Sequence, residues 1–310
     1  MNCIFVTGGA GFIGSNFLNY AVPEYPETRF VNIDKLTYAG RLENITVTVA
    51  PNYVFERVDI CDDIALEQLF KIYQPTGVIN FAAESNVDKS IERADAFITT
   101  NIGGTNNLLR LAVQYGVKRF HHISTDEVYG SLALDDAAFT ETTPLAPNNP
   151  YSASKAGADL LVRSYHKTFG LDTVITRCSN NFGPNQDDTK LIPRFIKKLQ
   201  AGETVPLYGD GSNRRDWLHV SDHVRAIDLV FHNGCAGEIY NVGSDHDFSN
   251  REVVDMLLAL TGRNSDAIEF VPDRLGHDFR YAINATKIET ELGWKPQVSF
   301  EEGIRELLAL

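Results

Sequence analysis

Short apolar runs alternate along the first half of the chain with segments whose apolar positions recur every three or four residues. Asn2-Cys3-Ile4-Phe5-Val6, Phe30-Val31-Asn32-Ile33, Tyr53–Val58, Gly77–Phe81, Phe120-His121-His122-Ile123 and Thr173–Cys178 read as buried strands. Between them, Phe12, Ile13, Phe17 and Leu18, then Leu66, Leu69, Phe70 and Tyr73, then Leu108, Leu111, Ala112 and Tyr115 form helical stripes. Strands alternating with helices predict an α/β fold with a doubly wound parallel sheet. Gly103-Gly104 should weaken the helix that contains it unless something packs tightly there. Residues 132–149, with Pro144 and Pro147 and followed by Pro150, read as a loop, either a cover or a passive connector. The alternation stops at Ser179-Asn180-Asn181-Phe182-Gly183-Pro184-Asn185. A first domain over residues 1–180, with a return around 216–243 marked by Glu238–Gly243, and a smaller, interleaved α/β domain over 181–310 are therefore expected. Residues 301–309 repeat a helical pattern at the end.

Composition narrows the field. A chain of 310 residues, 43% hydrophobic and 22% charged, has ample core for one large or two smaller domains. A net charge of −13 argues against nucleic acid or an anionic membrane as a partner. It also means that any anionic ligand needs a local basic island. Lys190, Arg194, Arg214, Arg215, Arg274 and His277, several of them in loops beside Gly, Pro or aromatic residues, supply one in the second region. Cys3, Cys61, Cys178 and Cys235 have neither metal-type nor redox-type spacing, so no metal is expected, and free thiols suit a reducing compartment. With no apolar run near the ~20 residues that span a bilayer, and no secretory pattern at the start, a soluble cytoplasmic protein is expected.

The chemistry starts at Thr7-Gly8-Gly9-Ala10-Gly11-Phe12-Ile13-Gly14, directly after the first strand. Gly9, Gly11 and Gly14 satisfy the dinucleotide fingerprint, and Gly8, Gly11 and Gly14 its three-residue-spaced variant. Glycines there let the backbone approach a pyrophosphate, and the helix that follows offers unpaired N–H groups. Asp34, twenty residues beyond Gly14, closes the second strand, where a carboxylate accepts from ribose hydroxyls and repels a 2′-phosphate. NAD is therefore expected rather than NADP, on a Rossmann-type sheet. Asp59 either meets the adenine or caps the next helix. The small residues Ala82 and Ala83 after Phe81 would admit the cofactor closely.

A second constellation follows the fifth strand. Ser124-Thr125-Asp126-Glu127-Val128-Tyr129-Gly130 brings two adjacent carboxyls to a strand end, and Tyr151-Ser152-Ala153-Ser154-Lys155 sets a phenol and an ammonium on one helical face. A nearby cation in a dry site can supply the roughly 4 kcal/mol that brings a tyrosine pKa towards neutrality. Such a base beside an acid/base pair suggests oxidation coupled to proton transfer. One acidic and one ionised carboxyl on adjacent residues require the strand to end or bend there.

With both constellations placed, the chain resembles the extended short-chain dehydrogenase/reductase family almost end to end, from Thr7-Gly8-Gly9 to Leu292-Gly293-Trp294-Lys295-Pro296. Within it, Asp126-Glu127, Asp34–Gly40, Arg177–Asn181 and Arg215–Val220 are similar to the dTDP-glucose 4,6-dehydratase branch. The resemblance implies a lyase in which Tyr151 takes the proton of the sugar 4-hydroxyl, Glu127 the C5 proton, and Asp126 protonates the departing C6 hydroxyl. A hydride shuttled through one tightly held NAD would yield a 4-keto-6-deoxy sugar. It further implies that Gly8, Gly11, Phe12, Ile13, Gly14, Asp34, Lys35, Asp59, Ile60, Phe81, Ala82, Ala83, Thr100, Tyr151, Lys155 and Asn181 meet the cofactor. Ser85, Thr125, Asn180, Lys190, Leu191, Pro206, Tyr208, Arg215, Asn250, Arg274 and His277 would hold the substrate, and the enzyme would be a homodimer. Asn86 departs from the family's usual His, and relatives often continue past Leu310. A UDP-sugar 4,6-dehydratase, a 4-epimerase, and a non-catalytic NAD-binding sensor are the alternatives; the carboxyl pair disfavours the epimerase, and the full set of reactive groups the sensor.

Overall fold

Continuous apolar runs have no polar face to give to water, so they build a parallel sheet covered on both sides. In the computed structural model, which describes residues 2–244, 246–273 and 277–309, they do so in order. The strands are β1 (Asn2–Thr7), β2 (Thr28–Ile33), β3 (Tyr53–Glu56), β4 (Gly77–Asn80), β5 (Arg119–Thr125) and β6 (Thr173–Cys178). The helices between them are α1 (Phe12–Glu24), α2 (Asp63–Tyr73), α3 (Val87–Glu92), α4 (Asp95–Phe97), α5 (Thr105–Gln114) and α6 (Pro150–Phe169).

After β7 (Asn180–Phe182) and α7 (Leu191–Gln200) come β8 (Val205–Tyr208), β9 (Arg214–His219), α8 (Val220–Asn233) and β10 (Ile239–Val242). The chain closes with β11 (Asp247–Ser249), α9 (Asn250–Thr261), β12 (Ile268–Val271), β13 (Arg280–Tyr281), α10 (Thr286–Leu292) and α11 (Phe300–Ala309).

The main sheet has seven strands in the order β10-β6-β5-β4-β1-β2-β3, every pairing parallel. The expected doubly wound architecture is thus present, and the buried run at Glu238–Gly243 returns as its edge strand beside β6. Alternation along β1 divides the core. Ile4 and Val6 pack with Phe17, Leu18, Val224 and Ile227 of α1 and α8. Cys3 and Phe5 face Leu66, Phe70, Leu108 and Val162 of α2, α5 and α6. The strand order reverses between β1 and β4, and at such a switch point the carboxyl ends of the strands leave a crevice. A smaller sheet, β11-β9-β13 with β7 beside β9, and the pair β8–β12 stand over that crevice with α7, α9 and α11.

Two local expectations change. The helix expected through Gly103-Gly104 widens into a π-helical stretch, Ile98–Gly104, between α4 and α5. A Cβ on Gly104 would sit 2.5 Å from Ile60 Cδ1, so the glycine buys close packing that the extra backbone residue per turn accommodates. The 132–149 segment does not cover the crevice. It is pinned by bridges Leu132–Arg280 and Phe139–Ile283 and by Asn241, whose backbone N–H donates to Glu141 and whose side chain donates to Phe139 O.

Candidate active site

One cleft of about 700 Å³ runs along the carboxyl ends of the strands and under the smaller sheet. At its β1 end, Gly8 adopts φ +71°, and a Cβ there would lie 2.6 Å from Ala82 N. A Cβ on Gly14 would lie 2.4 Å from Gly8 O. Gly8, Gly11 and Gly14 all face the cleft, whereas Gly9 packs inward against Asn32. The three-residue-spaced variant is therefore the one that shapes the site. Gly11 caps α1 without a side chain, leaving first-turn N–H groups at Phe12 and Ile13 open to the cleft. Asp34 accepts from Ala10 N (3.0 Å) and Leu36 N (2.8 Å), and burial raises its pKa. Asp59 accepts from Cys61 N at 2.9 Å and faces Lys35 at 3.4 Å, while Asp62 caps α2; of the two roles weighed for Asp59, helix capping is excluded. Ile60, Phe81, Ala82, Ala83 and Thr100 complete this end. These residues fit a dinucleotide: a glycine turn packed too tightly on its own backbone to admit a Cβ at Gly8 or Gly14, orphan N–H groups for the phosphates, and a carboxylate for the ribose.

The reactive constellation lies mid-cleft. β5 ends at Thr125 and the chain turns into a 3₁₀ segment, Asp126–Tyr129, so consecutive carboxyls no longer project to opposite faces. Thr125, Asp126, Glu127, Tyr151 and Lys155 all line the cleft. Asp126 is 1% exposed, receives Thr125 Oγ1 on Oδ1 at 3.3 Å, and among the described residues has no hydrogen-bond partner on Oδ2. Burial, with Glu127 and then Asp216 as like charges, pushes its pKa well above the carboxylate range. The surroundings of Asp126 thus favour its protonated form, beside a second carboxyl. Tyr151 stands in the first turn of α6, behind a capping box in which Asn149 Oδ1 accepts from Ser152 N. Burial and the nearby Glu127 raise the Tyr151 pKa, with Thr125 opposing. Lys155 shares the helical face as expected, yet its ammonium donates to Ile123 O at 2.7 Å. Burial lowers its pKa to about 8.

At the far end, Ser85, Asn180, Asn181, Lys190, Leu191, Pro206, Tyr208, Arg215, Asn250 and His277 all line the cleft. Arg194 does too, but Arg214 does not, because Asp247 and Glu252 hold its guanidinium elsewhere. Arg215 is buried over the Tyr281 ring and donates to Asp278 O at 2.9 Å. Arg274 lies outside the described residues. Asn86 caps α3 by accepting from Lys89 N, a local task that a His side chain performs less readily.

Sequence reasoning missed a strap. Residues 184–190 reach from β7 back across the cleft: Asn16 donates to Pro184 O (2.9 Å), Asn185 to Asn44 O (3.3 Å), and Lys190 to Ser85 O (3.5 Å). Nothing in the local pattern marks it, because each contact joins residues 100 or more positions apart or, as for Asn185, depends on the loop's left-handed φ of +71°. His223 was missed as well; its Nδ1 meets Asn181 Oδ1 at 2.8 Å from beneath.

Comparison with known proteins agrees with this geometry. Residues 5–307 match the family model described as GDP-mannose 4,6 dehydratase. The chain is 49% identical over 327 residues to a dTDP-glucose 4,6-dehydratase of Neisseria meningitidis serogroup B, covering 99% of this chain and 92% of that protein. It is 51% identical over 302 residues to the low-salt glycan biosynthesis protein Agl12 of Haloferax volcanii, covering 97% and 96%. Among solved structures, dTDP-glucose 4,6-dehydratase from Bacillus anthracis in complex with NAD superposes with a TM-score of 0.93 at 46% identity, over 100% of this chain and 96% of that one. Identity near one half along almost the whole length places this chain in the nucleotide-sugar 4,6-dehydratase family of extended short-chain dehydrogenases/reductases, in its dTDP-glucose 4,6-dehydratase branch.

Proposed function

We propose that the protein is a lyase that converts dTDP-glucose to dTDP-4-keto-6-deoxyglucose with a tightly held NAD. The observation that carries the reading is the buried Asp126 carboxyl, one oxygen of which has no partner among the described residues, beside Glu127 in the same cleft as Tyr151 and Lys155. A simple alcohol oxidation needs only the tyrosine and lysine; elimination of water from adjacent carbons needs an acid and a base as well.

The glycine turn and the α1 N-terminus would hold the cofactor's phosphates and Asp34 its ribose, and NAD bound there supplies the acceptor and later the donor of a hydride. Tyr151 accepts the proton of the sugar 4-hydroxyl, and the Lys155 charge favours its anion. The C4 ketone acidifies the C5 proton, which Glu127 removes as Asp126 protonates the departing C6 hydroxyl. Lys190, Arg194, Arg215 and His277 form the basic end that offsets a nucleotide diphosphate in an otherwise acidic protein, and Pro206 and Tyr208 offer its base an apolar and aromatic wall. We read the working state as a homodimer of the reducing cytoplasm: the four cysteines are free, and among the described residues no helix is long and apolar enough to cross a membrane.

The deciding experiment is mass spectrometry of the product from dTDP-glucose deuterated at C4, with UDP-glucose alongside. Loss of one water with deuterium recovered at C6 is expected, faster for the dTDP sugar. An unchanged mass with scrambled C4 stereochemistry would instead make the protein an epimerase. Glu127→Gln should still reduce the bound NAD but stall before elimination; elimination at the wild-type rate would remove Glu127 as the base.

A further inference from the structure

Beneath the cleft floor, a line of ionisable groups runs away from Lys155 that none of the steps above uses. Lys155 and Asp159 stand four residues apart on α6, a spacing at which ammonium and carboxylate ordinarily pair. Here they do not touch. The His122 ring of β5 lies between them, its Nε2 3.4 Å from Lys155 Nζ and 3.6 Å from Asp159 Oδ1. On the other side, Arg177 Nε donates to Asp159 Oδ2 at 2.9 Å, while Asp159 Oδ1 accepts no hydrogen bond from any described residue. None of the four side chains belongs to a residue more than 4% exposed, so water does not screen their charges.

The ring's tautomer follows from its other neighbour. Asn80 Oδ1 accepts from the Thr7 hydroxyl at 2.6 Å, so its Nδ2 donates, to Thr105 Oγ1 and to His122 Nδ1, each at 3.2 Å. With Nδ1 accepting, the proton of the neutral ring is on Nε2, so Lys155, a donor only, makes no hydrogen bond to the ring at 3.4 Å and the Nε2 proton is left to Asp159 Oδ1 at 3.6 Å. Burial and the Lys155 charge push the His122 pKa well below its usual value and keep it neutral. Among these four side chains, two cations and one carboxylate then leave one surplus positive charge, which an anion formed at Tyr151 would balance.

We propose that Asp159 and His122 are positioning residues for the Tyr151–Lys155 pair: Asp159 sustains the ammonium from a distance, and His122 is the spacer that stops the carboxylate capturing it. This rests on the reading of Tyr151 and Lys155 as the proton-transfer pair. Burial works against the ammonium, and Asp159 is the leading influence in its favour. The other ionisable groups around the pair are Asp126 and Glu127 from the 3₁₀ turn, Cys178 and Arg177 from β6, and His121 from β5. All of them stay in place in the variants that follow.

Two readouts test the inference across pH. The first is the rate at which dTDP-glucose reduces the bound NAD in a single turnover. The second uses no substrate: tyrosinate absorbance of each protein minus that of its Tyr151→Phe counterpart. Asp159→Asn should move both limbs of the rate profile, and the tyrosinate titration, to lower pH by roughly one unit, because removing a negative charge makes both Lys155 and Tyr151 more acidic. Asp159→Glu should restore them. His122→Ala should shift the alkaline limb the opposite way and lower the plateau rate several-fold, since Asp159 can then pair directly with Lys155. Unmoved limbs and titrations in both variants, whatever the rates, would overturn the proposal and leave Asp159 as Arg177's structural partner. If Asp159→Asn does not fold, His122→Ala decides alone: an unshifted alkaline limb overturns the inference. A wild-type protein that never reduces NAD would refute the dehydratase reading, and the tyrosinate titration would still decide this one.

Discussion

Asp126 shows how much of this site is chemistry imposed by burial on a single side chain. Its pKa is raised in the fold by desolvation first and by Glu127 and Asp216 next. A carboxyl whose folded pKa exceeds its unfolded one takes up a proton on folding, so its stabilising contribution is full below the unfolded value, near 4, and is lost as pH rises through the folded value. Asp126→Asn carries no charge at any pH. It should therefore melt higher than wild type at neutral pH, with the gap closing as pH falls towards about 4, while dehydration collapses. Thermal melts across pH check this; a gap that does not change with pH would mean that the amide acts on packing alone. The residue types of the site were legible in the sequence because each motif is contiguous. Their protonation states were not, because burial belongs to the surroundings and not to the residue.

At the scale of elements, the site depends on where helices and strands end. Tyr151 follows Pro150 at the very start of α6, and the Asn149 capping box fixes that first turn. Asn149→Ala should cost about 1 kcal/mol of stability, a fall in melting temperature of roughly 2–4 °C. The effect on chemistry should be larger, about tenfold or more in the first oxidation, because fraying moves the phenol itself. A variant that loses stability but keeps the wild-type rate of NAD reduction would show that Tyr151 is held from elsewhere. The same logic explains the carboxyl pair, which needs β5 to stop at Thr125. Strand and helix existence followed from apolar periodicity. The π-helical stretch did not, because it arises where Gly104 meets Ile60, a neighbour 44 positions earlier in the chain. Asp62 likewise displaced Asp59 as the α2 cap, a difference of three residues that periodicity cannot resolve.

The whole molecule adds closure and an outer face. The strap over the cleft ties the second region to α1 and to Ser85 of the first, so these contacts form only when both regions are folded. On the outside, Ile98, Val113 and Leu160 are exposed apolar side chains, 54%, 37% and 56% accessible, on the π-helical stretch, α5 and α6, which pack against one another. A homodimer through these helices would cover them. Leu160→Glu should then give a folded monomer by sedimentation, with unchanged circular dichroism; a wild-type protein already monomeric at working concentration would remove the dimer.

What the sequence by itself determined is what short-range order controls: the alternation of strands and helices, the doubly wound sheet, the glycine turn, and the tyrosine–lysine and carboxyl pairs. Periodicity and motif spacing are local properties, and a chain cannot hide them. Only the tertiary structure decided which glycine triplet faces the cleft, that Arg214 turns away, that residues 132–149 leave the cleft open while 184–190 strap it, and that His122 stands between Lys155 and Asp159. Each of these depends on which distant residue occupies the neighbouring space, and close packing settles that only when the whole chain has folded.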